Sequence, residues 1–548
     1  MKRKIISLLL IIALLCTSGA AAGAAVIETT GTGAYTEAAI VAADYAEVGS
    51  ELVPTAALPT AYSSRDEGFV TPVRSQVYNT CWAYSSTASL ETLLIKNRKT
   101  GEHLSPMHMN YWGCTNTHGT GWQRTSDAAG YPYIAQGYLT SFGVIMDNMF
   151  GDASTQEDYT ALLDTLYPYA AANSIIYLDG DDRDTIKTAV YNYGAVIGNF
   201  HYDALCNNTG QYAYNCDIAG LATSELNGHA IEIVGWDDSY SADNFRSEHR
   251  PTSDGAWLCK NSWGTTYGDN GYFWISYEDE YLFNHRFGPS YAISGYSDMT
   301  AIRKIQQNEI YGATYEFDYL KELRPMLNRM TYVNVFDFSD GYHNVEQVVF
   351  ESTSEGSAYS VYYIPVDNSG VPVSNTSEWR LIGSGTVGYQ GYICVDVDDF
   401  AAPLGKGAIG VQIRKNSSGS YSIGIGEWLR ATASSNYLFL PDSTRGQSYL
   451  IGYDVKPVDV MDFYSEYEDD IGGTFVIKAL CSSDEAEGDV DRDGEFGITD
   501  VTCTQRMLAE MITLNKTQMR FADFNNDGES DITDATRMQR SLAGFENV

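Results

Sequence analysis

Residues 76–85 read Gln-Val-Tyr-Asn-Thr-Cys-Trp-Ala-Tyr-Ser, and this stretch decides how the first half of the chain folds. The ten residues that follow it, 86–95, favour a helix, and Leu90 and Leu94 can face a core on one side of that helix. We therefore predict that Cys81 lies at a helix N-terminus. The dipole and the unpaired N–H groups at such a position favour the thiolate, the form of cysteine that attacks carbonyl carbons.

A nucleophilic cysteine needs a base, and two later motifs supply the candidates. Residues 227–237 read Asn-Gly-His-Ala-Ile-Glu-Ile-Val-Gly-Trp-Asp and contain His229. Residues 260–264 read Lys-Asn-Ser-Trp-Gly and contain Asn261. A single cysteine or histidine is more often a buried core residue, but these motifs follow Cys81 in the order and near the spacing of a known catalytic signature. Their combination therefore indicates a catalytic site.

Together these motifs resemble the papain-like cysteine peptidases of the papain/cathepsin family. The resemblance implies an α+β peptidase domain over residues 58–295. It also implies that Cys81 is the nucleophile, that His229 is the base, and that Asn261 orients the imidazole ring. Gln76 resembles the side chain that forms the oxyanion hole with the backbone N–H of the cysteine. The implied reaction is hydrolysis of protein or peptide substrates through a thioester, with no cofactor for catalysis.

The turn before the cysteine departs from the family pattern. Val-Tyr-Asn-Thr at residues 77–80 stands where the family usually has a Gly-rich turn, often with a structural cysteine, and the turn is one residue short. This departure supports an alternative function from another class. In that alternative the chain is a catalytically silent binding or adhesion protein that uses its papain-like and lectin-like surfaces.

A β-rich region follows the peptidase domain, and we place it at residues 296–481. Apolar side chains alternate with their neighbours at period two in three runs, at residues 393–397, 409–413 and 421–425. This rhythm, with turn residues between the runs, predicts an antiparallel β-sandwich. The region resembles the lectin-like sandwich of bacterial papain-like peptidases. Its Tyr and Trp side chains could stack on carbohydrate or pack in the core.

Two acidic segments near the C-terminus repeat at an offset of 34 residues. Residues 489–494 read Asp-Val-Asp-Arg-Asp-Gly and residues 523–528 read Asp-Phe-Asn-Asn-Asp-Gly. Each segment is followed by an aspartate at the spacing of position 12 in a calcium loop. Carboxylates this crowded repel one another unless a hard cation neutralises them. The predicted ligands are Asp489, Asp491, Asp493, Glu495, Asp500, Asp523, Asn525, Asp527, Glu529 and Asp534.

The duplicated segment resembles a dockerin, here residues 488–548, joined to the sandwich by a linker at 482–487. The resemblance implies a small all-α fold with two structural Ca²⁺ ions that binds the cohesin domain of a scaffoldin. Dockerins usually accompany carbohydrate-cleaving enzymes. That function is disfavoured here, because no catalytic pair of carboxylates can be singled out among so many acids.

The N-terminus predicts export. Lys2, Arg3 and Lys4 precede an apolar run over residues 5–15 and an alanine-rich stretch, which is typical of a secretory signal peptide at residues 1–25. Residues 26–57 are interpreted as a pro-segment or spacer. We expect a secreted, extracellular protein that is associated with a scaffold or cell surface and has no membrane span.

The charge excludes several function classes. The 548 residues carry a formal net charge of −37, so binding to nucleic acid or to an anionic membrane surface is disfavoured. The nine cysteines are too thinly spread for a disulfide framework. The predicted architecture is therefore multidomain: an α+β peptidase, an antiparallel β-sandwich and a small all-α calcium-binding module.

Overall fold

The fold is taken from a computed structural model of the chain. It describes residues 26–29, 35–38, 57–98, 103–114, 121–122, 124–147, 168–222, 225–284, 287–299, 304–306, 329–352, 354–397, 400–414, 425–427, 439–440, 445–451, 456–464, 473–483, 488–491, 496–509, 511–512, 514, 516–525 and 529–545. The predicted signal peptide, residues 1–25, lies outside the described residues. None of the helices in the described part of the chain is both long enough and apolar enough to span a bilayer.

The regular elements within those residues are as follows. The helices are α1 (Cys81–Arg98), α2 (Pro106–Trp112), α3 (Pro132–Ser141), α4 (Arg183–Tyr193), α5 (Val460–Tyr464), α6 (Ile498–Leu508), α7 (Lys516–Ala522) and α8 (Ile532–Leu542). The strands are β1 (Val26–Thr29), β2 (Tyr35–Ala38), β3 (Ala61–Ser63), β4 (Gly121–Trp122), β5 (Ala170–Leu178), β6 (Val196–His201), β7 (Asn207–Asn208), β8 (Ala213–Tyr214), β9 (Gly228–Asp237), β10 (Ala256–Lys260), β11 (Tyr272–Ser276), β12 (Ser290–Asp298), β13 (Lys304–Gln306), β14 (Arg329–Asp337), β15 (Tyr342–Ser352), β16 (Ala358–Ile364), β17 (Arg380–Thr386), β18 (Gly391–Asp396), β19 (Lys406–Arg414), β20 (Ile425–Glu427), β21 (Phe439–Leu440), β22 (Ser448–Ile451), β23 (Val458–Asp459), β24 (Gly473–Phe475) and β25 (Ile477–Ser483).

Helix α1 begins at Cys81, as the sequence predicts. The Thr80 carbonyl accepts the backbone N–H groups of Ala83 and Tyr84, at 3.0 and 3.1 Å, and so closes the first turn. The side chains of Leu90 and Leu94 are buried in the core of the peptidase domain. Because this core surrounds the helix on most sides, its position is fixed by packing rather than by helix propensity.

The peptidase domain is built on a sheet in which β12, β6, β9, β10 and β11 follow one another. Strand β9 carries His229 near its start and packs against α1. Strand β10 pairs antiparallel with β9, with Lys260 opposite Glu232, and ends one residue before Asn261. The sheet therefore brings together three segments that are far apart in the sequence.

The predicted β-sandwich is confirmed. Strands β17, β16, β19, β14, β22 and β23 form one sheet, which packs across an apolar core onto β25, β15 and β18. In the run 393–397, Ile393, Val395 and Val397 are buried while Asp396 is exposed. The residues of the run 409–413 that alternate as predicted are also buried, whereas most of the run 421–425 lies outside the described residues.

The two large domains share one sheet. Strand β18 of the sandwich pairs with β5 of the peptidase domain, Gly391 opposite Ile176 and Tyr392 opposite Ile175. The close approach requires glycine at 391, because a Cβ there would lie 2.0 Å from the Ile175 carbonyl oxygen. The result is a continuous sheet of thirteen described strands.

Two strands run across the boundaries that the sequence suggests. Strand β12 pairs with β5 as far as Asp298 opposite Ala170, so it extends past the boundary predicted between residues 295 and 296. Strand β25 extends to Ser483, inside the predicted linker at 482–487. Within the predicted pro-segment, β1 and β2 form a short antiparallel pair. In β12 and β25, therefore, the strand continues past the residue at which the sequence pattern predicts the end of a domain.

Buried polar contacts cross the junction between the domains. The Lys478 ammonium of β25 donates to the hydroxyls of Thr140 and Ser141 at the end of α3, at 2.8 and 2.6 Å. The Tyr177 hydroxyl of β5 donates to the Glu351 carboxylate of β15. Lys478 and Glu351 are almost completely buried, so each depends on a partner from the other domain.

The C-terminal module is helical and internally duplicated. Helices α6 and α8 pack together, and residues 34 apart occupy matching positions in its core, Val501 with Ala535 and Thr504 with Met538. This duplication agrees with the predicted small all-α fold.

We expect Lys478→Ala to lower the free energy of unfolding by about 2–4 kcal/mol, because it removes charged hydrogen bonds from a buried junction. Lys406→Ala, at an exposed position of β19, is the matched control and should change it by at most about 0.5 kcal/mol. Denaturant unfolding followed by tryptophan fluorescence measures both. Equal effects of the two substitutions would contradict a structural role for the buried lysine.

Candidate active site

The Cys81 side chain lies at the start of α1 and contacts strand β9. Its sulfur accepts the backbone N–H of Ala230 at 3.4 Å, so the thiol lies beside the residue that follows His229. Cys81 is completely buried, and burial raises the pKa of its thiol to about 12. The N–H groups of Ala230, Trp82 and Cys81 lower this pKa but do not offset burial. The N–H groups at the helix start therefore act on the thiol in the direction that the sequence predicts, towards the thiolate, while burial acts in the opposite direction.

His229 and Asn261 form a buried hydrogen-bonded pair. The imidazole Nε2 lies 2.8 Å from the Asn261 Oδ1 atom. The backbone N–H of Ser262 also donates to this Oδ1, at 2.7 Å, which identifies that end of the amide as the acceptor. Nε2 must then carry the hydrogen, so Nδ1 is the basic nitrogen of the neutral ring.

Aromatic side chains enclose this pair. The Trp263 ring stacks on the His229 ring, with centroids 4.4 Å apart and planes inclined by 25°. Phe200 contacts the imidazole edge-on at 5.8 Å, and Tyr202 contacts Trp263 edge-on at 4.9 Å. Because the rings exclude water, the hydrogen bond between His229 and Asn261 lies in a low-dielectric environment, where it is stronger than in solvent.

Gln76 lies beside the same segment. Its Oε1 accepts the Ser262 hydroxyl at 2.7 Å, and its Nε2 donates to the Tyr78 carbonyl at 3.0 Å. These two bonds fix which end of the amide carries the N–H groups. Ser262 therefore orients both Asn261 and Gln76, a role that sequence reasoning missed although the residue lies within the Lys-Asn-Ser-Trp-Gly motif.

The acidic loops of the C-terminal module also bring their described ligands together. One carboxylate oxygen from each of Asp489, Asp491 and Asp500 lies within 4.8 Å of the others. The Asp500 carboxylate accepts the N–H groups of Asp491 and Gly497, at 2.9 and 2.8 Å. Burial raises the pKa of Asp500, and the neighbouring Asp491 and Asp489 carboxylates raise it further.

The second loop repeats this geometry. Asp534 accepts the N–H groups of Asn525 and Asp531 at 2.9 and 2.8 Å. Both oxygen-rich clusters fit a hard divalent cation such as Ca²⁺. Asp493, Glu495 and Asp527 lie outside the described residues.

Comparison with known proteins agrees with this geometry. The family model described as papain family cysteine protease matches residues 58–291. The chain is 33% identical to the clostridial cysteine protease Cwp84 solved after propeptide cleavage, over 77% of this chain and 99% of that one, with a TM-score of 0.65. The chain belongs to the papain family of cysteine proteases. Further family models match a lectin like domain at residues 307–480 and a dockerin type I domain at residues 487–543.

A second solved structure covers a similar part of the chain, and a curated relative covers a smaller part. A second Cwp84 structure, of the cysteine protease and lectin-like domains from Clostridium difficile, is 32% identical over 80% of this chain and 90% of that one, with a TM-score of 0.66. Procathepsin L of Felis catus is 28% identical over 236 residues, which is 39% of this chain. The chain spans about 60% of the length of that curated relative.

Hydrogen bonds and a cation–π contact among the described residues surround the unusual turn of this papain-family domain. Tyr78 has a positive φ of 57°, and the Asn79 side chain donates to the Asp127 carbonyl at 3.2 Å. Buried Arg124 lies 5.1 Å from the Trp82 ring and donates to the backbone carbonyls of residues 110, 128 and 129. A hydrogen-bonded arginine thus fastens the loop beside the catalytic turn, a role that no local sequence pattern indicated.

Two aromatic side chains away from these clusters have structural surroundings. His108 is buried against the Tyr138 hydroxyl at 2.7 Å, and burial lowers its pKa to about 3, so it is a neutral core residue. Trp379, a candidate for stacking on sugars, packs edge-on against Tyr362 and donates its indole N–H to the Val373 carbonyl.

Proposed function

We propose that the protein is a secreted cysteine endopeptidase that hydrolyses peptide bonds with Cys81, His229 and Asn261. The hydrogen bond of 2.8 Å between His229 Nε2 and Asn261 Oδ1 carries this proposal. His229 lies on β9, the strand whose Ala230 N–H contacts the Cys81 sulfur. This hydrogen bond leaves Nδ1 as the basic nitrogen of His229, beside the segment that carries the Cys81 thiol. Membership of the papain family supports the same reaction.

The first chemical step is proton transfer from the Cys81 thiol to His229. A thiol with a pKa of about 12 is protonated at neutral pH, so the nucleophile must be generated when His229 Nδ1 accepts its proton. Asn261 holds the ring in the required tautomer and stabilises the imidazolium that forms. The thiolate then attacks the carbonyl carbon of the scissile peptide bond.

The negative charge moves to the substrate oxygen in the tetrahedral intermediate. We assign the stabilisation of this oxyanion to the backbone N–H of Cys81, at the start of α1, and to the Gln76 amide, whose Nε2 carries a second hydrogen besides the one donated to the Tyr78 carbonyl. His229 returns its proton to the leaving amine and a thioester remains on Cys81. Water activated by His229 then releases the acid product and regenerates the thiol.

The C-terminal dockerin would hold two Ca²⁺ ions, one in each loop. The charge of the ions would neutralise the crowded carboxylates and hold each loop against the helix that follows it. The ten ligands predicted from the sequence are the proposed donors to these ions. The matched hydrogen bonds of Asp500 and Asp534 support one ion for each repeat.

The same module offers a surface for a cohesin domain. Ile498 and Ile532 begin α6 and α8 at matching positions of the two repeats, and each side chain is 64% exposed. Because exposed apolar surface can mark a protein-binding site, these two equivalent positions are the proposed contacts. The dockerin would therefore attach the enzyme to a cohesin-bearing scaffold outside the cell. One similar structure is described as a surface layer associated protein, which supports an extracellular location.

The catalytic proposal predicts that Cys81→Ala lowers the rate of casein hydrolysis by at least about 10³-fold, because no other group supplies the nucleophile. The matched control is Cys259→Ala, since Cys259 is an equally buried thiol in β10. Hydrolysis that survives in Cys81→Ala would contradict the role of Cys81 as the nucleophile, and its absence in the wild type would favour the silent binding protein.

The pKa of Cys81 predicts how alkylation by iodoacetamide depends on pH in His229→Ala. Below a pKa of about 12 the thiolate fraction rises tenfold with each pH unit, so the rate should rise about tenfold per unit between pH 7 and 10. In the wild type, His229 accepts the proton and the rate should depend far less on pH in this range. Mass spectrometry of the Cys81 peptide measures both rates. Identical pH profiles would exclude His229 as the base.

Calcium binding is tested with two substitutions in one loop. Asp534→Asn should weaken binding at the second site by at least about tenfold, because it removes a buried charged ligand. Glu529→Gln should leave binding nearly unchanged, because position 7 contributes its backbone carbonyl. Isothermal titration calorimetry should give two ions per wild-type chain, and fewer than two would refute the proposed number.

A further inference from the structure

A network of linked charged side chains, most of them buried, connects the segments that carry the proposed catalytic residues. The Glu91 carboxylate of α1 forms an ion pair with Arg74 at 2.8 Å and accepts the hydroxyl of Thr71. The Lys260 ammonium donates to the same hydroxyl at 3.2 Å and lies 3.1 Å from the Glu232 carboxylate.

Each charged member of this network belongs to a segment that carries a proposed catalytic residue. Arg74 lies two residues before Gln76, and Glu91 lies on the helix that begins at Cys81. The other two members share this arrangement: Glu232 follows His229 by three residues on β9, and Lys260 directly precedes Asn261.

Glu232 contacts two of these segments besides its own. It lies opposite Lys260 in the antiparallel pair of β9 and β10, and its carboxylate accepts the Thr92 hydroxyl of α1 at 2.7 Å. The residue is 1% exposed. Ala230, which contacts the Cys81 sulfur, precedes Glu232 by two residues, so both side chains point from the same face of β9.

The energetics favour a role in geometry over one in stability. A buried ion pair contributes little net stability, because desolvation of both charges offsets most of their attraction. Its directional contacts nevertheless fix the relative position of the elements that supply its members. A displacement of about 1 Å in a catalytic site can reduce the rate about a hundredfold.

We propose that Glu232 is a positioning residue for peptide hydrolysis. Through Lys260 and Thr92 it holds the strand that carries His229 in register with Asn261 and with the helix that carries Cys81. This inference rests on the catalytic roles proposed above for those three residues.

The test is Glu232→Gln, which keeps the size of the side chain and an acceptor for Thr92 but removes the charge that faces Lys260. We expect kcat for a peptide substrate to fall 10- to 100-fold with KM unchanged within twofold. Alkylation of Cys81 by iodoacetamide, which needs no substrate binding, should slow by a similar factor.

The matched control is Glu351→Gln, at a buried carboxylate that accepts the Tyr177 hydroxyl in the junction with the sandwich. It should lower Tm and leave kcat within twofold of the wild type. A second variant, Glu232→Gln with Lys260→Met, removes the unpaired cation. Its Tm should recover while kcat remains low, because the contact that positions β9 is still absent.

Three results would overturn the proposal. These are a wild-type kcat in Glu232→Gln, an equal loss of kcat in Glu351→Gln, and recovery of kcat together with Tm in the double variant. The assay also includes Cys81→Ala. If that variant still hydrolyses the substrate, the proposed catalytic function fails; if it is inactive while Glu232→Gln is normal, only the positioning role fails.

Discussion

The packing of α1 on β9 is the constraint on which the site depends. A helix supplies Cys81 and a strand supplies His229, and 148 residues of chain separate them. The N–H of Ala230 on the sulfur of Cys81 is the direct contact between the two elements at the site. Neither residue can carry out peptide hydrolysis alone, so the domain core must hold a helix and a strand at a fixed separation. This requirement explains why charged groups are retained beneath the site despite their desolvation.

Burial has opposite effects on the nucleophile and on its base. It raises the pKa of the Cys81 thiol and so disfavours the thiolate, while the same apolar shell of Trp263 and Phe200 keeps water from the bond between His229 and Asn261. The proposed base is therefore shielded from water, whereas burial favours the protonated form of the proposed nucleophile. The helix start contributes N–H groups to this balance, and they have their greatest value when charge develops on sulfur or on the substrate oxygen.

The sequence predicts the parts of the fold that depend on local pattern or on short motifs. Nearby residues determine the helix at Cys81 and the alternation around Ile393 and Val395. They also determine the repeat that gives Asp500 and Asp534 equivalent positions. The pairing of β18 with β5 is not, because a shared edge depends on tertiary contacts between strands more than 200 residues apart. The roles of Arg124 and Ser262 escaped prediction for the same reason, since each acts through hydrogen bonds to other segments of the site.

The shared sheet gives the lectin-like domain a part in the peptidase fold. Strand β5 pairs with β12 on one side and with β18 on the other. The sandwich therefore supplies backbone hydrogen bonds to one edge of a peptidase strand, in addition to its covalent connection through the chain. Lys478 and Glu351 remain buried because their partners come from the peptidase domain. Separating the domains would expose a strand edge and leave both charges without those partners. The dockerin differs from the sandwich in having a core of its own, around Val501 and Met538.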